Sequence, residues 1–119
     1  MREERLRTTA GARGALELSS WRGRSGRRYV VGIHPLSESD INELTNAVIL
    51  AVRRDTDGSA SLIDIATVGG HSRSGGRARW IASVRARGAS EMHVHRLAAT
   101  EAERRAVIDD LRESEAQAS

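Results

Sequence analysis

The chain contains no cysteine, no phenylalanine and no lysine, one proline, and aromatic residues at only 3% of its 119 positions. Lacking cysteine, it has neither a disulfide framework nor a thiolate metal site. No apolar run approaches the roughly 20 residues that a membrane-spanning helix needs. The opening Met1-Arg2-Glu3-Glu4-Arg5 is charged and leads into no apolar segment, so it does not read as a secretion signal. The expectation is a soluble, cytoplasmic protein with no membrane association. Scarcity of aromatics also limits recognition of single-stranded nucleic acid by base stacking, since only Trp21, Tyr29 and Trp80 are available. Trp80 has the spacing of a helix core residue, whereas Trp21 is followed closely by Arg22 and Arg24.

What is present in quantity is arginine. All 19 basic residues are Arg, set against 16 acidic ones for a formal net charge of +3. The bias against Lys reflects genome composition as readily as a partner; the distribution says more. Residues 1–28 hold 8 Arg and 3 acids, and residues 71–96 hold 6 Arg and 1 acid. The segments between and after them, 29–70 and 97–119, are net acidic. Arg22, Arg24, Arg27 and Arg28 in the first basic block, and Arg73, Arg77 and Arg79 in the second, are the candidate ligand-binding residues. Clustered guanidinium groups neutralise phosphate backbones or acidic protein surfaces. The plainer reading of such blocks is a solvated surface.

The centre of the sequence is Ala47–Val68. Two Val- and Ile-rich runs, Ala47–Val52 and Leu62–Val68, flank Asp55-Thr56-Asp57-Gly58, where Gly58 supplies the positive φ that a tight turn needs. Alternation puts Ala47, Ile49 and Ala51 on one face and Val48, Leu50 and Val52 on the other. Both faces are apolar, as in a strand covered on both sides. Upstream, Leu16-Glu17-Leu18 alternates and leads into Trp21, which predicts a short edge strand, with Arg28–His34 its returning partner, ended by Pro35. Ser37–Leu44 reads as a short helix with Ser37 and Asp40 imitating a capping box. Arg77–Arg87 and Glu101–Glu113 are amphipathic helices, the second opened by Thr100-x-x-Glu103. Between them, Met92–Leu97 predicts a strand that a crossover would set parallel to Leu62–Val68. The expected fold is α+β, a mainly antiparallel sheet of four to five strands around hairpin 47–68. Residues 1–14 are expected to form a flexible arm, 15–113 a single domain and 114–119 a frayed tail.

The weak catalytic candidates are His34, Asp64, His93 and His95. His93 and His95 are two apart on a strand and share a face, while Asp64, expected to face with Leu62 and Ala66, interrupts an apolar run. Should they converge, two imidazoles and a carboxylate would suit zinc or acid–base chemistry. The plainer reading leaves both rings as half-exposed strand residues, with no metal and no cofactor. The loop Gly69–Gly76 matches neither G-x-x-x-x-G-K-[ST] nor G-x-G-x-x-G, and no G-x-S-x-G elbow occurs. The leading functional expectation is a non-catalytic binding module contacting nucleic acid or an acidic protein through its arginines. The alternatives are a protein-interaction or self-assembling module, and a small metal-dependent or acid–base enzyme.

Overall fold

The computed structural model describes residues 3–5, 17–69 and 74–118. Its strands are β1 (Glu3–Arg5), β2 (Leu18–Arg22), β3 (Arg28–Pro35), β4 (Ala47–Arg54), β5 (Ala60–Val68) and β6 (Glu91–His95). Its helices are α1 (Glu38–Asn42), α2 (Ser74–Ala86) and α3 (Glu101–Ala118). The strands form one sheet in the order β1-β2-β3-β6-β4-β5, antiparallel throughout. This is an α+β architecture built on a central hairpin, as the hydrophobic patterning implies.

Strand β4 organises the interior. Every residue from Ala47 to Val52 is inaccessible to solvent. Ala47, Ile49 and Ala51 join Ile41, Leu44, Ile81, Val84, Met92 and Val94 in a core beneath α1 and α2. Val48, Leu50 and Val52 join Trp21, Val31, Ile65, Val107 and Leu111 in a second core beneath α3. Helices on both faces thus explain why β4 carries no polar face. The β4–β5 connection closes with Asp55 N–H donating to the Ser59 carbonyl at 2.9 Å, and Gly58 adopts φ +89. Ser37 caps α1 by accepting from Asp40 N–H, and Thr100 caps α3 by accepting from Glu103 N–H.

Several expectations need correction. Strand β6 does run in the same direction as β5, but β4 lies between them, because β5 already occupies one edge of β4 and β6 takes the other. Helix α2 begins at Ser74 rather than Arg77, and α3 continues to Ala118 through the stretch expected to fray. Glu3–Arg5, inside the expected arm, pairs with β2; residues 6–16 lie outside the described residues. A register shift at Ala51/Val52 sets Leu62 opposite Val52 and Asp64 opposite Ala51. That bulge breaks the alternation of β5, so Leu62 turns toward α3 while Asp64 turns toward α2.

Candidate functional site

The pleat of β6 sends Met92 and Val94 into the core under α1 and α2, and leaves Glu91, His93 and His95 on the α3 side. His34 pairs in register with Met92, and Asp64 with Ala51, so both belong to the opposite face. His34 stands 3.5 Å from Arg96, and Asp64 accepts from the Trp80 indole at 3.1 Å. The four candidates therefore do not converge. The histidine pair does share a face, but neither ring is half-exposed: His93 is 0% and His95 5% accessible.

His93 is held at both nitrogens. The Trp21 indole N–H donates to Nδ1 at 2.8 Å, and because an indole only donates, Nδ1 is unprotonated. The Nε2 hydrogen is then directed to Glu91 at 2.7 Å. Arg54 binds both oxygens of Glu3 at 2.7 and 2.8 Å, and its Nε donates to Glu91 at 3.1 Å. In a flat sheet β1 and β4 would stand about 19 Å apart, four spacings of about 4.8 Å. The Glu3–Arg54 bond thus records a sheet curled over the α3 side, bringing β1 and β2 against β4 and β6. Glu3, Glu91 and His93 offer ligand atoms within 4.8 Å of one another, which resembles a metal-binding set. The Arg54 guanidinium already supplies the cation for both carboxylates, so the cluster is complete as a polar knot within the core.

Burial pushes the His93 pKa below its ordinary 6.5, overcoming the pull of Glu91 and Glu3 toward the charged form. Burial by itself raises the carboxyl groups of Glu3 and Glu91. The hydrogen bonds each receives, from Arg54 and Ser19 at Glu3 and from Arg54 and His93 at Glu91, outweigh it and hold both below 4.5. The signs agree. The unfolded chain takes up protons first, on His93 as pH falls below about 6.5 and on the two carboxylates as it falls below about 4.5. Stability is expected to be fully present above about pH 6.5 and to fall in two stages on acidification. Urea denaturation between pH 8 and 3 measures this, and His93→Gln should diminish the upper stage, leaving the share of His34, whose pKa burial also lowers. A flat profile from pH 7 to 5 would contradict the neutral, locked imidazole.

His95 is different. Its Nδ1 lies 2.8 Å from the Val30 carbonyl, which can only accept, so the proton is on Nδ1. Nε2 has no hydrogen-bond partner among the described residues. The ring packs edge-on against Tyr29 at a centroid distance of 5.5 Å. Together they line a cleft of about 360 Å³ between β3, β6 and α3, with Arg27, Arg28, Leu97 and Glu103 around it. Tyr29 donates to Asp110 at 2.7 Å, and burial with that bond pushes its hydroxyl pKa up to about 12. Asp110 also accepts from the Ser25 N–H at 2.9 Å and the Ser25 hydroxyl at 2.7 Å, fixing the β2–β3 turn to α3. Gly23 allows the close approach, since a Cβ there would meet Asp110 Oδ2 at 2.0 Å.

The arginine candidates divide by the side of the sheet. Arg22, Arg24, Arg27 and Arg28 are exposed along the β2–β3 hairpin, and Arg24 reaches Glu113 of α3 at 3.4 Å. Arg79 is exposed on α2, and Arg73 lies outside the described residues. Arg77, expected at the surface, is buried and donates to the Ile41 carbonyl at 2.5 Å. Arg22 and Arg28 pair in register and alternate with Trp21 and Tyr29, which enter the core beneath α3, so the pleat turns them to the other face. Arg24 adjoins α3 and Arg77 adjoins α1. Trp21 is buried against His93 and offers no exposed platform.

Sequence reasoning missed Tyr29, Glu91, Arg54 and Asp110. Glu91 was accessible through its i,i+2 spacing from His93; the other three depend on the sheet's curl and on where α3 docks. Comparison with protein-family models, curated proteins and solved structures returns no match for this chain. The class that the fold defines is a small α+β domain with one antiparallel sheet covered by helices on both faces.

Proposed function

We propose that the protein is a non-catalytic binding module for nucleic acid, engaging the phosphate backbone through the exposed side of the β2–β3 hairpin. The observation that supports this most is the His95 cleft, where Nε2 is not engaged by any described residue and Arg27 and Arg28 belong to the lining. Guanidinium groups at the rim pair with phosphate oxygens. Arg22 and Arg24 extend the positive edge along the hairpin. A catalytic reading has less support. Tyr29 is committed to Asp110, His93 is locked at both nitrogens, and Glu103, which lines the same cleft as His95, accepts from the Ala99 N–H.

Binding of a labelled oligonucleotide, as single strand and as duplex, is expected at low salt, to weaken steeply as salt rises and to depend little on sequence. Arg27→Gln with Arg28→Gln should lower affinity and flatten the duplex salt slope by up to about 2 units, one for each phosphate no longer neutralised. A protein that binds neither form at roughly 50 mM salt, where such pairs are strong, would end this reading. The runner-up, a protein-interaction module, draws support from Leu97, which is 74% exposed at the mouth of the same cleft. Salt-insensitive association that Leu97→Ser abolishes would favour it.

A further inference from the structure

Among the described residues, Arg77 is a buried cation without an anion. It is 8% accessible, and its Nη1 donates to the Ile41 carbonyl at the end of α1, while Nη2 reaches the Gly69 carbonyl only at 3.5 Å. Its Nε hydrogen is buried and has no acceptor, and no carboxylate among the described residues pairs with the group. Capping the last turn of α1 explains one of the five guanidinium donors and leaves the Nε edge unmet. Buried charges are normally paired, because desolvating one alone is costly.

The same residue forms one wall of a pocket of about 310 Å³ between α1, α2 and β5. The other walls are apolar or nearly so, with Ile41, Ile49, Ala66, Val68 and Trp80. The Trp80 indole N–H is already used by Asp64, so Trp80 presents ring surface rather than a donor. We propose that this pocket binds a small organic carboxylate, its apolar body against β5 and Trp80 and its carboxylate on Arg77. A guanidinium can offer a carboxylate two parallel N–H donors, which is the geometry that distinguishes arginine from lysine. Nε is itself inaccessible to solvent, so the carboxylate takes the Nε–Nη2 edge as the long Nη2–Gly69 contact of 3.5 Å gives way. A dry cavity of about 150 Å³ holds a benzene, so a space of this size suits roughly a phenylalkyl acid. Neutral alcohols would fill the same volume but leave the guanidinium unpaired. The pocket lies on the face opposite the His95 cleft, and the inference is independent of the nucleic-acid reading.

The probes are 3-phenylpropionate and its neutral counterpart 3-phenylpropan-1-ol, titrated into the full chain by calorimetry and followed by tryptophan fluorescence. The acid should saturate and bind at least about tenfold more tightly than the alcohol. Gly76 lines the pocket, and a Cβ there would meet no atom within 4 Å. Gly76→Leu should therefore fill the pocket and abolish binding of both probes, with the unliganded melting temperature kept or raised because leucine favours a helix over glycine. Arg77→Met should bring acid and alcohol to similar affinities. If that variant fails to fold for want of its α1 cap, Arg77→Lys should at least narrow the preference, since an ammonium cannot reproduce the paired donors. The proposal is overturned by equal affinity of the native chain for acid and alcohol, by no saturation up to about 10 mM acid, or by undiminished acid binding in Gly76→Leu.

Discussion

Leu50→Ala is expected to lower folding stability by about 2–5 kcal/mol, and Ile49→Ala by a similar amount, although the two neighbours support different halves of the molecule. Leu50 is fully buried beneath α3 with Trp21, Val31 and Leu111, and Ile49 is fully buried beneath α1 and α2 with Ile41, Ile81 and Met92. Each truncation removes a buried apolar group and leaves a cavity that helices packed on both sides of the sheet cannot readily close. Urea denaturation should show a lower midpoint with an unchanged slope in both variants. A loss under about 1 kcal/mol in either would mean that the corresponding helix layer is not closed over β4.

The second large effect is expected at Arg54. One guanidinium serves two carboxylates here, and the side chains are 17% exposed at Arg54, 6% at Glu3 and 18% at Glu91. Arg54→Met removes the cation and leaves both acids partly desolvated, Glu91 with His93 and Glu3 with Ser19 as remaining donors, at a cost of about 3 kcal/mol near pH 7. Partial exposure of Arg54 and Glu91 to solvent keeps the value toward the lower end of the range for buried pairs. The cost should shrink as pH falls below about 4, where Glu3 and Glu91 become neutral and no longer need compensation. Adding Glu3→Gln and Glu91→Gln to Arg54→Met should recover much of the loss at neutral pH, because neutral side chains replace unpaired charges. Full wild-type stability in the single variant at pH 7, measured by the same denaturation, would show that the knot carries no stability.

How far the sequence revealed this protein depends on the range of the physics involved. The hairpin was visible because its signals are local: branched residues in two runs, a glycine at a left-handed position, and apolar side chains on both pleats of β4. The caps at Ser37 and Thr100 were visible for the same reason. Asp64 was misplaced because a bulge shifts one strand by a residue, and nothing in the composition of Leu62–Val68 announces it. Arg77 was placed at the surface because arginine usually is; its burial follows from the position of α1 on α2, a tertiary fact. The shared face of His93 and His95 followed from strand pleat alone. Their division into a locked ring and an open one was set by Trp21 and Val30, which the strand order β2-β3-β6 brings to them and which the sequence does not announce.

The position of β6 has a consequence for how the chain acquires its structure. Strands β2 and β3, and strands β4 and β5, are sequence neighbours that can zip locally, but the two hairpins touch no common strand except β6. Until Glu91–His95 is in place, β3 and β4 each present an open edge of unpaired amides and carbonyls, and the more hydrophobic of the two is β4. Closing the sheet therefore requires pairings of long sequence separation late in the process, which slows folding and prolongs the lifetime of sticky edges. The five residues of β6 act as the keystone of the sheet: they add little surface of their own, and without them the two hairpins, though they share the core beneath α3, have no backbone ladder between them.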